Sequence, residues 1–68
     1  MEFFDRLKEL RNEKGLSQQQ LAQALGLSRS RYSLYELGVR EPSIDLLKTM
    51  ASFFNITIDY LVGYSDNY

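Results

Sequence analysis

The chain has 68 residues, eight basic against nine acidic, for a net charge of −1; 44% are apolar, one is proline, and none is cysteine, histidine or tryptophan. That length holds one small core, burying only about 60% of the surface the unfolded chain exposes, and the missing residues exclude disulfides, thiolate and imidazole zinc sites, thiol nucleophiles and an imidazole general base. The apolar fraction excludes a disordered chain, no apolar run nears the roughly 20 residues of a bilayer span, and Glu2 and Asp5 stand where a secretory signal would be basic. A small cytoplasmic module is expected, with no metal, cofactor, membrane or small-molecule ligand implied.

Taken in order, the elements are all helical. Phe3, Leu7 and Leu10 recur at the spacing of one helix face and predict a first helix over roughly residues 2–13. Ser17, with Gln20 three positions on, has the spacing of a capping box and opens a second helix that buries Leu21, Ala22 and Leu25. Ser28 opens a third, with Tyr32, Tyr35 and Glu36 on one side. Pro42-Ser43 opens a fourth, with Leu47, Met50, Ala51 and Phe54 on its apolar face, and Thr57 a short fifth carrying Ile58, Leu61 and Val62. Gly15, Gly26, Gly38, Gly63 and Asn55 each fall just past a predicted end, where the backbone often turns left-handed. The fold class is therefore all-α: a compact five-helix bundle over residues 1–63, followed by a tail or the start of a linker at 64–68.

Charge is distributed unevenly. Residues 1–13 carry −1, residues 14–40 carry +3, and residues 41–68 carry −3. A local positive face is thus compatible with a total near zero. Within the basic stretch, SQQQLAQALGLSRSRYSLYELG (residues 17–38) reads as two short helices joined by a tight turn at Gly26. Such a join makes the pair cross steeply and is the pattern of a helix-turn-helix, whose second helix enters the DNA major groove. A plain helical hairpin inside a bundle has the same spacing.

The helix starts favour the first reading, with chance as the other explanation of such small differences. A helix N-terminus is favoured by acids in its first turn; helix one carries Glu2 and Asp5 there, helix four Asp45 and helix five Asp59. Helices two and three begin Gln18-Gln19-Gln20 and Arg29-Ser30-Arg31, with no acid. Two adjoining tips stripped of carboxylates suit a polyanion.

The same residues carry a resemblance. Arg11, Leu16-Ser17-Gln18, Leu21-Ala22, Gly26-Leu27-Ser28, Tyr32, Glu36 with Gly38, Arg40-Glu41-Pro42-Ser43, Leu47, Met50-Ala51 and Ile56-Thr57-Ile58-Asp59 with Leu61 resemble the helix-turn-helix domain of the lambdoid phage repressors, Cro and the Xre-type regulators. The resemblance implies a bacterial or phage-encoded regulator, a repressor, that sets helix three (about 28–37) into the major groove of a palindromic double-stranded operator. It also implies a homodimer, at least on DNA, with contacts near helix five, where Ile58, Tyr60 and Val62 supply apolar surface. Packing of those residues against helix one is the other reading.

Residue roles follow. Ser17 and Gln18 start helix two, where the resemblance implies a phosphate contact. Arg29, Ser30, Ser33 and Leu34 lie on the outward face of helix three. Arg29 suits O6 and N7 of guanine or, less specifically, a phosphate; Leu34 suits a thymine methyl or is an ordinary surface leucine. Arg31 and Arg40 are phosphate candidates. Arg11 and Glu36 occupy the positions of a helix-one to helix-three ion pair, and Arg11 is a candidate backbone contact as well. Tyr32 and Tyr35 read as core residues with hydroxyls reaching outward rather than as stacking platforms. Leu37 has no assigned role. No nucleophile has a base partner, so no enzyme is expected. The rival from another class is a degenerate helix-turn-helix acting as a protein-interaction module, an antitoxin or regulator-binding adaptor, which the acidic last third and the apolar Leu34 and Leu37 favour.

Overall fold

In a computed structural model, which describes residues 2–64, the chain forms five helices: α1 (Phe3–Glu13), α2 (Gln18–Ala24), α3 (Arg29–Glu36), α4 (Ile44–Phe54) and α5 (Ile58–Leu61). No strand occurs among the described residues. The tail expected at 64–68 lies, beyond Tyr64, outside them.

Local chemistry sets the helix starts. Ser17, Ser28, Ser43 and Thr57 are all N-caps in extended conformation, and each side-chain oxygen accepts from the backbone N–H three residues on. At α2 the expected capping box is complete: Ser17 Oγ accepts from Gln20 N at 3.1 Å, and Gln20 Oε1 accepts from Ser17 N at 2.8 Å. Two orphan donors of the helix start are thereby satisfied. The α2–α3 turn is closed by Leu27 N donating to Ala22 O at 2.8 Å, with Gly26 at φ +74°. Glycine, which has no Cβ, enters that conformation without steric cost. Asn55, at φ 57°, does the same work after α4.

The core gathers Leu7, Leu10, Leu21, Ala22, Leu25, Tyr32, Tyr35, Met50, Ala51, Phe54, Tyr60 and Leu61. α3 packs against α2 and α1, while α5 packs against α4 and α1. The first helix is thus the common support of the two ends of the molecule. Phe4 on α1 closes over Gly38 so tightly that a Cβ there would stand 2.9 Å from the phenyl ring.

Two side chains tie the fifth helix to the first. Arg6, assigned no role from sequence, is 6% exposed and lies over the Tyr60 ring, its guanidinium carbon 3.8 Å from the centroid. Tyr60, for which spare surface and packing against the first helix were both open, is only 8% exposed. The aromatic face is used inside the chain to hold α5 to α1.

Candidate nucleic-acid interface

The site is built around one carboxylate. Glu36, in the last turn of α3, is reached from three directions. Arg11 of α1 donates from Nε to Oε2 at 2.6 Å and from Nη2 to Oε1 at 3.2 Å. Gln18, the first residue of α2, donates from Nε2 to Oε1 at 3.2 Å, and the Tyr32 hydroxyl donates to Oε2. Arg11 Nη1 donates in addition to the Leu16 carbonyl at 2.8 Å. The side chains of Arg11 and Glu36 are 12% and 4% exposed. A two-point guanidinium–carboxylate contact withdrawn from water is directional as well as strong. It fixes where α3 sits relative to α1 and to the start of α2.

The charges respond accordingly. Burial alone would raise the Glu36 pKa, but the hydrogen bonds from Arg11, Tyr32 and Gln18 outweigh it and hold the carboxyl below the usual range. The hydrogen bond to Glu36 raises Arg11 against the opposing effect of burial. Burial, reinforced by the neighbouring carboxylate, pushes the Tyr32 hydroxyl far above a free tyrosine. At neutral pH the cluster is therefore an arginine cation, a carboxylate and a neutral phenol.

This geometry revises one expectation. The Tyr32 hydroxyl does not reach outward but is spent on Glu36. Arg11 donates from all three guanidinium nitrogens inside the chain, which positions α3. Gln18 at the start of α2 touches Glu36 at the end of α3.

The remaining site residues fall as follows. Arg29, Ser30, Arg31 and Arg40 are exposed, Ser17 is exposed at its cap, and Gln18, Ser33 and Leu34 are half-buried. Ser33 Oγ donates to the Ser30 carbonyl at 2.8 Å, which removes its hydroxyl proton from outward use. First-turn acids are present in α1, α4 and α5 (Asp5, Asp45, Asp59) and absent from α2 and α3. Ile58 and Val62 are half-buried. Val62 lines an apolar hollow with Phe3, Pro42, Ile44 and Leu47. Sequence reasoning missed the Gln18–Glu36 and Arg6–Tyr60 contacts. Only the Gln18 spacing carried a signal, and it pointed to capping.

Two short helices meeting at a tight glycine turn, the second presenting a cationic edge and locked by an ion pair to the first helix of the bundle, define a helix-turn-helix module. Sequence comparison agrees: a helix-turn-helix family model matches residues 7–61, and the chain belongs to that Xre-like family. It is similar to the HTH-type transcriptional regulator AnsR of Bacillus subtilis, with 46% identity over 59 residues covering 87% of this chain and 51% of the relative. Among solved structures, a transcriptional regulator from Listeria innocua matches with TM-score 0.88 and 34% identity over 94% of this chain and 60% of that one. The restriction-modification controller protein C.AhdI from Aeromonas hydrophila matches with TM-score 0.78 and 41% identity, covering 87% of this chain and 86% of that one. The chain spans about half the length of curated relatives such as AnsR. No described helix is long and apolar enough to cross a membrane, and no described group of acids could hold a metal ion.

Proposed function

We propose that this chain is a sequence-specific double-stranded DNA-binding module of a transcriptional regulator, a repressor acting in the cytoplasm, with α3 in the major groove of a palindromic operator. One observation carries the reading: exposed Arg29, Ser30 and Arg31 stand at the start of α3, and the first turns of α2 and α3 alone lack acids. Arg29 reads guanine through O6 and N7, Ser30 reads a neighbouring base, and Leu34 packs on a thymine methyl. Ser33, with its proton committed to Ser30, serves only as an acceptor. Ser17, Gln18, Arg31 and Arg40 anchor phosphates. Arg11 and Glu36 hold α3 in place.

A single module of this kind buries about 600–1,000 Å² on DNA, which favours two copies on half-sites one helical turn apart. The dimer face is assigned to Ile58 and Val62 with the neighbouring Ile44, which is 65% exposed. Tyr60 drops out of it because Arg6 covers its ring.

The test is binding to duplexes selected from a random pool, measured across salt concentrations. Affinity should fall with a log–log slope of about −0.9 per phosphate contact. Arg29→Ala should relax preference at one base pair, losing about 1–3 kcal/mol of discrimination. Gln18→Ala should weaken operator and scrambled duplex alike. Identical behaviour of the two variants on both duplexes would refute the division into base readers and anchors. Absence of salt-dependent binding to any duplex would leave the protein-interaction reading in its place.

A further inference from the structure

The outward line of α3 changes chemistry along its length. Ser30, Leu34 and Leu37 stand at intervals of four and three residues, so they share one side of the helix. Tyr32 and Tyr35 are buried on the opposite side. Leu37 keeps helical backbone angles (φ −80°, ψ −11°), so the line runs unbroken through it, and it is 69% exposed. Between the two ends, the Ser33 hydroxyl donates its hydrogen bond to the Ser30 carbonyl. Hydrogen-bond donors occupy the start of the line and bare methyl groups its end. Arg29 and Arg31 precede the leucines and Arg40 follows them, all three exposed. An apolar edge among cations suits the floor of a groove whose walls are phosphates, and the thymine C5-methyl is the apolar group displayed on that floor.

We infer that Leu37 is a specificity-determining residue, which together with Leu34 reads thymine methyl groups at the end of the half-site opposite the guanine read by Arg29. The inference rests on the DNA-binding reading and deepens it. From Arg29 to Leu37 the helix advances about 12 Å at 1.5 Å per residue, the rise of three to four base pairs at about 3.4 Å each. The half-site therefore carries guanine at one end and A·T pairs about two steps away under Leu34 and about three or four steps away under Leu37, recognised without hydrogen bonds.

Deoxyuridine isolates the claim, because it differs from thymidine only by the C5-methyl. The full chain is bound to its selected duplex, and each thymine is replaced in turn at fixed salt. Loss of a contacted methyl should weaken binding about fourfold, the equivalent of one buried methyl-sized group, and only at the end away from the guanine. Leu37→Ala should lose the thymine–uracil difference at one position while binding the uracil duplex as tightly as the parent chain does. Leu37→Met should retain the difference. The side chain is exposed, so all variants should keep the parent's circular dichroism. Selective binding that is indifferent to uracil everywhere, or an equal loss on both duplexes in Leu37→Ala, overturns the inference and leaves the regulator reading intact. Failure to bind any duplex in a salt-dependent way overturns both.

Discussion

Arg6 and Arg11 stand on the same helix, both drawn away from water, and the chain holds them by opposite means. Arg11 is met by a carboxylate and a carbonyl and uses every guanidinium nitrogen as a donor. Arg6 is met by the face of Tyr60, and among the described residues its Nε has no hydrogen-bond partner. The first arrangement joins α1 to α3, the second joins α1 to α5. A carboxylate gives direction and strength but leaves a stranded charge when its partner is lost. A ring gives a weaker, less directional hold and is left neutral when the cation goes. The end at which the proposed function sets DNA has the directional bond.

The largest effect expected from this contrast is in Arg11→Ala. It leaves Glu36 buried without its cation and should destabilise the fold by about 3–5 kcal/mol in urea unfolding. A loss under about 1 kcal/mol would mean the pair is effectively solvated and does not set α3. Next comes Gly38→Ala, which probes whether backbone packing shares the task of holding that end. A residue with a Cβ must adopt φ +75° there and push into Phe4, so about 1–3 kcal/mol should be lost. Arg6→Met keeps the bulk of the side chain and removes only the cation over the ring. It should cost about 1 kcal/mol, well below Arg11→Ala, since no opposite charge is stranded. Equal costs for the two arginines would erase the distinction.

The smallest effect separates the arginines by pH. Glu36 has its pKa lowered in the folded chain, so the unfolded chain takes up that proton first as the medium is acidified. The stability contributed by its ionised form is complete above the unfolded value of about 4.3 and is lost as pH falls through the folded value. The stability difference between the parent chain and Glu36→Gln should therefore be flat from pH 7 to about pH 5 and shrink below about pH 4. Arg6→Met should show no matching acid limb, because a ring and not a carboxylate faces that cation.

Sequence reading reached the helix starts more surely than it reached the site. Ser17, Ser28, Ser43 and Thr57 cap the helices they were expected to open, because a cap bonds only three residues away. Arg29 and Arg31 are exposed beside such a start for an equally local reason. Gln18 shows the limit. Its place at the head of α2 was evident, but its bond to Glu36 spans 18 residues and needed the α2–α3 crossing to exist first. Tyr60 shows it again: helical spacing left two readings open, and the position of Arg6 chose burial.

What the sequence determined by itself was where each helix begins and ends and which two of them begin without acids, since capping, glycine conformation and first-turn charge all act within one turn. The tertiary structure alone decided which charges leave water, which helix tips neighbour which ends, and which aromatic faces remain for a partner. Those outcomes depend on groups far apart in the chain meeting in one place, and desolvation and pairing take their sign from that meeting.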